Sequence, residues 1–200
     1  MNELINEATK YVKQIFINDF SGHDYYHTER VYKLAKEISK NEDCDIEKVC
    51  LVALLHDVDD HKLSKKTNKN QDNARLFLTN HNFNIKEIES ILTDINNISF
   101  SKHIDSSQLS IEAKIVQDAD RVDAIGAIGI ARVFAYGATH NNPIYDPNNN
   151  NSSINHFYEK LLKLESTMNT IIGKKIAKER TIFLQKYLNQ FFKEWNFEGL

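Results

Sequence analysis

Leu51-Val52-Ala53-Leu54-Leu55-His56-Asp57-Val58-Asp59-Asp60-His61-Lys62 is the stretch on which the reading of this chain turns. It starts as an apolar run and ends in a cluster of metal-ligating and acid/base side chains. Ile46, Val49, Cys50, Ala53 and Leu54 recur at helical spacing, and almost every residue over 49–55 is apolar, so the helix is buried nearly all round. Asp45 is placed to cap its N-terminus, with Lys48 where a capping box would need an acid. Such a helix delivers His56 and Asp57 to the interior edge of a core. An ionised carboxylate resists leaving water without a partner. A divalent cation would satisfy the imidazole and the carboxylate together. A plain helix C-terminus shedding polar residues into a loop is the better explanation of an isolated His-Asp pair, so the remaining sequence has to decide.

Helical periodicity runs through the chain on both sides. Residues 2–18 set Leu4, Ile5, Ala8, Tyr11, Val12, Ile15 and Phe16 on one face, and Ser21-Gly22 breaks the pattern. A second helix, over about 25–41, carries Val31, Leu34, Ala35 and Ile38 inward. Further helices are expected over 71–81, 84–97, 154–165 and 170–196, and residues 110–136 form a second organising unit. Prolines stand only at 143 and 147, no alternating run bounded by hairpin turns occurs, and no repeat is visible. The fold class is all-α.

His27 lies four residues before Val31 and seven before Leu34, so it shares their inward stripe. Downstream, Gln117-Asp118-Ala119-Asp120-Arg121-Val122-Asp123 offers three carboxylates. Asp118 and Asp120 are about 200° apart around a helix, whereas Asp120 and Asp123 differ by about 60°, so spacing alone does not select among them. Gly126, Ala127, Gly129 and Ala131 are small residues that permit close approach of a neighbouring helix; with no strand before them they are not a phosphate loop. Residues 137–153, rich in Asn, read as an irregular loop, either a lid beside the site or a tolerated insertion.

The order His … His-Asp … Asp, with each element on a helix, resembles the HD superfamily of metal-dependent phosphohydrolases. The likeness extends to Gly22-His23-Asp24, to the run from His56 to Lys62, and to Asp118 through Arg132. Tyr136-Gly137, Tyr145-Asp146-Pro147 and Asn155-His156-Phe157-Tyr158-Glu159-Lys160-Leu161-Leu162 add to it, and together these stretches look like the bacterial YpgQ-type branch of nucleotide pyrophosphohydrolases. The resemblance implies a helical HD domain over residues 1–200, with a metal site between core helices. It also implies His27, His56, Asp57 and Asp120 as the metal ligands, because the Ala-Asp-Arg of the family motif falls on Ala119-Asp120-Arg121. Asp118 and Asp123 then become candidates for orienting an imidazole or a water. In this superfamily an acidic residue three positions after the Asp of the pair commonly takes a proton from water. That position is Asp60 here, where several relatives carry Glu, and Asp59 is the alternative.

Two imidazoles and two carboxylates leave room for two waters around an octahedral ion. Mixed nitrogen and oxygen ligation suits a divalent transition metal, Mn2+ first and Co2+, Ni2+ or Fe2+ next, better than Mg2+. The reaction that the resemblance implies is hydrolysis of (deoxy)nucleoside triphosphates to monophosphate and pyrophosphate. A nucleotidase or phosphodiesterase acting on another phosphate ester is the alternative enzyme, and a nucleotide-binding regulator without turnover is the alternative outside enzymes. Lys62, in a lysine-rich segment that also holds Lys65 and Lys66, and Lys102 further on are the candidate phosphate partners.

Composition bounds these expectations. Two hundred residues suffice for one domain with a real core, and 41% apolar with 26% charged residues is ordinary for a globular protein. A net charge of -3 speaks against a nucleic-acid partner. No apolar stretch approaches the roughly 20 residues that span a bilayer. The acidic, amphipathic N-terminus is unlike a signal peptide, and Cys44 and Cys50 have no CxxC spacing, so a cytoplasmic location is expected. The last helix shows a broad apolar face of Ile176, Phe183, Leu184, Tyr187, Leu188, Phe191 and Trp195, suited to the core or to a homodimer contact.

Overall fold

The computed structural model describes residues 2–17, 24–60, 67, 69–98 and 105–199, and every regular element among them is helical. The chain divides into two compact units, Met1–Asp120 and Arg121–Leu200.

The first unit contains α1 (Asn2–Ile15), α2 (Tyr25–Ser39), α3 (Ile46–Leu55), α4 (Asp72–Asn80), α5 (Ile85–Asn96) and most of α6 (Ile111–Asp123). Its centre is α3, which packs against α1, α2 and α5 and buries every residue over 49–55. Burying one Leu of this kind contributes about 1.5–3 kcal/mol, so α3 holds its place through packing on all sides. Polar groups fix its entry. The Asp45 carboxylate accepts Lys48 N–H at 3.1 Å, and Asp45 N–H donates to Glu112 Oε1 at 3.0 Å. Lys48 does not close a capping box; its Nζ reaches Asp94 Oδ2 at 2.6 Å and Ser90 Oγ at 2.9 Å, which pins α3 to α5. α5 itself starts with a full capping box between Asn84 and Glu87.

The second unit contains α7 (Gly126–Thr139), α8 (Ser153–Glu159), a 3-10 segment (Leu161–Thr167) and α9 (Ile171–Trp195). α9 packs on α7 and on the 3-10 segment, with Leu184 and Leu188 buried while Phe183 and Trp195 of the same apolar face stay exposed. Residues 110–136, read from sequence as one unit, form two helices. Ala124 and Ile125 donate to Arg121 O and Val122 O in i→i+3 bonds, which tighten the end of α6. Gly126 then takes a φ of +78°, a left-handed conformation that glycine adopts without steric cost. At Gly129 the space for a Cβ is filled by the carbonyl of Ala124, so this glycine serves the turn before its own helix. The helix expected over 154–165 ends at Glu159 and continues as the 3-10 segment, and the loop expected from 137 begins after α7 ends at Thr139. No single helix among the described residues is long and apolar enough to cross a membrane.

Candidate metal centre

His27 sits in the first turn of α2. Asp24 caps that helix, its Oδ1 accepting His27 N–H at 2.9 Å, so the first turn is anchored where the imidazole starts. The side chain follows the inward stripe of Val31, Ala35 and Ile38 and is buried. His56 occupies the C-cap of α3 in right-handed helical geometry, so the helix hands it over without a change of direction. Its Nδ1 lies 2.9 Å from Ala53 O. A carbonyl only accepts, so Nδ1 carries the proton, and in the neutral ring the lone pair is on Nε2.

His27, His56 and Asp57 each present one donor atom, and the three atoms lie within 4.8 Å of one another. No other such group of His, Cys, Asp or Glu occurs among the described residues. Asp57 Oδ2 stands 3.4 Å from His27 Nε2 and 3.3 Å from His56 Nε2. Asp120, on α6, brings Oδ1 to 3.4 Å from His27 Nε2. The four residues that the family motif singles out therefore meet, with Asp120 joined through His27.

The donor set fits a divalent ion. His56 Nε2 is buried and makes no hydrogen bond among the described residues, although a carboxylate faces it. In the neutral ring, a buried nitrogen lone pair that faces a carboxylate has lost its water, a cost that metal coordination removes. Burial disfavours the charged imidazole, but Asp57 beside it and Asp120 further off outweigh burial and hold the His56 pKa up at about 9. The site thus attracts positive charge, and a proton and a cation compete for the same nitrogen.

The other sequence candidates go elsewhere. Both carboxylate oxygens of Asp59 accept backbone N–H groups at the start of α4, Oδ1 from Asn73 at 3.1 Å and Oδ2 from Ala74 at 2.9 Å. Asp60 is half-buried, and its N–H closes a turn onto Asp57 O at 3.0 Å. Asp118 is fully buried, and Asp123 Oδ2 accepts from Arg132 Nη1 at 2.8 Å. Lys62 and Lys102, together with Lys65 and Lys66, lie outside the described residues. Sequence reasoning missed Asn73, whose Nδ2 donates to Val58 O at 2.9 Å and to Thr67 Oγ1 at 3.1 Å. No local signal marks it, because its partner Val58 stands fifteen residues away.

The family model described as HD domain matches residues 24–125, a span that contains all four residues of the cluster. YpgQ of Bacillus subtilis (strain 168) is 34% identical over 186 residues, which make up 92% of this chain and 90% of YpgQ. The crystal structure of YpgQ in complex with ADP superposes with a TM-score of 0.81 at 31% identity, covering 96% of this chain and 95% of that one. The crystal structure of an HD-superfamily hydrolase from Bacillus thuringiensis gives a TM-score of 0.78 at 40% identity over 98% of both chains.

Proposed function

This chain belongs to the HD domain family, and on that premise we propose that it is a metal-dependent phosphohydrolase that splits (deoxy)nucleoside triphosphates into monophosphate and pyrophosphate. The observation that carries the reading is the buried meeting of His27, His56 and Asp57, with Asp120 in contact with His27. In this reading the four residues hold one divalent ion, Mn2+ before the other transition metals, since the donors are mixed nitrogen and oxygen. Such an ion acidifies a bound water and offsets charge on a phosphoryl oxygen. The protein's own part is to orient and to move a proton. Ala53 O holds the His56 ring by its Nδ1–H, which keeps Nε2 aimed at the carboxylates. Asp60 takes the proton from water on its carboxylate. Asp59 is the poorer candidate, because its two oxygens are already committed to Asn73 and Ala74.

ADP bound to YpgQ supports a nucleotide as the phosphate ester. Relatives matched over nearly their whole length support treating residues 1–200 as one functional domain. Attack at the α-phosphorus releases pyrophosphate, a better leaving group than the alkoxide lost by a monophosphatase, and it is preferred to loss of the terminal phosphate because Lys62, Lys65, Lys66 and Lys102 supply cations in sequence for the charge that builds on the departing group. Turnover of a nucleoside triphosphate in 18O-labelled water tests this. The label is expected in the nucleoside monophosphate. Label in inorganic phosphate, with diphosphate accumulating, would remove the pyrophosphohydrolase reading and leave the metal site standing.

A further inference from the structure

We propose that Asp59 and Asn73 are positioning residues that lock the metal-bearing turn, residues 56–60, onto the start of α4; this rests on the reading of His56 and Asp57 as ligands. Val58 N–H reaches Leu55 O at 3.4 Å and Asp60 N–H reaches Asp57 O at 3.0 Å, and the helix that delivers the turn has already ended. External groups grip it from both chemical sides. Its one buried carboxylate, Asp59, accepts the N–H groups of Asn73 and Ala74. Its carbonyl at Val58 accepts the Asn73 side-chain amide at 2.9 Å. Asn73 therefore gives one donor to the turn's side chain and another to the turn's backbone.

The far side of this clamp is fixed too. Gln71, the residue at the N-cap of α4, makes no side-chain cap, so Asp59 supplies the cap from twelve positions upstream. A carboxylate is well placed there, where backbone N–H groups lack partners within the helix and the helix dipole is positive. Gln71 adopts a left-handed φ of +55°, unusual for a residue with a side chain, and its Nε2 is bonded to Leu92 O of α5 at 3.2 Å. The Asn73 carbonyl accepts Tyr11 Oη–H from α1 at 2.9 Å. Two packed helices thus hold Asn73 and its neighbours, and Asn73 holds the turn. A shift of the turn moves both His56 and Asp57, so the clamp sets the spacing of the donor atoms.

A plain helix cap would affect stability alone, whereas a positioning clamp also changes metal affinity, and the experiment separates them. Cobalt(II) affinity is measured by competition with a chromogenic chelator for the parent, Asp59→Asn, Asn73→Ala, Leu78→Ala and His56→Ala, with thermal unfolding of each in excess chelator. Leu78→Ala empties a buried position on α4 beyond the residues that bond Asp59, and it reports what lost stability alone does. Asn73→Ala is the milder of the two clamp variants, since its backbone donor to Asp59 remains. Asp59→Asn and Asn73→Ala are expected to weaken cobalt binding about 10–100-fold, the usual effect of losing a group that orients a ligand. Leu78→Ala is expected to bind as the parent does at a lower melting temperature. Parent-like affinity in both clamp variants, with cobalt lost in His56→Ala, overturns the clamp and spares the ligand reading. An equal loss in Leu78→Ala overturns it as ordinary destabilisation. Parent-like affinity in His56→Ala overturns the ligand reading, and the clamp with it.

Discussion

The histidine side and the carboxylate side of the cluster differ in their access to water. The side chains of His27 and His56 are 1% and 3% exposed, whereas those of Asp57 and Asp120 are 14% and 31% exposed. The difference follows from the elements that carry them. His27 shares an inward stripe on α2, and His56 closes the most completely buried helix of its unit. Asp120 stands on the solvent-facing side of α6, while its neighbours Ala119 and Val122 are buried. The imidazoles form a dry wall, and solvent reaches the cluster on the side of the carboxylates. A wall of this kind fixes donor positions through packing; the open side leaves room for exchange.

Removing the open side is the largest test of that contrast. Asp120→Ala is expected to abolish stoichiometric metal and bring turnover to background, read by metal analysis of the purified protein. Its helix neighbour supplies the control: Asp123→Asn is expected to retain the metal and lose stability by about 3 kcal/mol, because it breaks a buried pair with Arg132. The reverse outcome, metal lost with Asp123 and kept without Asp120, would reassign the ligand.

Next in size is the proton acceptor. Asp60→Asn is expected to keep the metal and lose about 10²–10⁴ in turnover, the usual contribution of a positioned acid/base group. An active Asp60→Asn would move the role away from that residue and break the assignment of proton transfer to the open edge of the turn.

The smallest effect belongs to the dry side. Burial opposes charge on His56, but the facing Asp57 and then Asp120 prevail and raise its pKa from 6.5 to about 9. A cation needs the neutral ring, so metal affinity should rise about tenfold per pH unit up to that value and then level off, measured by chelator competition across pH. Without the ion, the imidazolium stabilises the folded chain fully below 6.5, and that contribution is lost as pH rises through about 9. Affinity that is flat between pH 7 and 9 would show that the proton is held elsewhere.

Much of this was legible along the chain because it depends on near neighbours. The apolar periodicity of α1 through α5, the Asp45 cap and the inward phase of His27 are relations between residues within a turn or two of one another. The helix break at residues 124–125 was less so, since small residues at 126, 127 and 129 suit both a close helix contact and a turn, and only the backbone at Gly126 separates the two. The 3-10 segment after α8 likewise keeps enough helical spacing to pass for a continuation.

By itself, the sequence determined an all-α chain in which one buried helix ends in His56 and Asp57, because hydrophobic spacing and burial are tied together residue by residue. Which carboxylate of the three near Asp120 faces His27 was decided by packing. Rotation about a helix places Asp120 and Asp123 close in angle, and only tertiary contacts turn one toward His27 and the other toward Arg132. The use of Asp59 was decided the same way. Its partners Asn73 and Ala74 are fourteen and fifteen residues distant, and a hydrogen bond across that span exists only after α1, α3, α4 and α5 have packed.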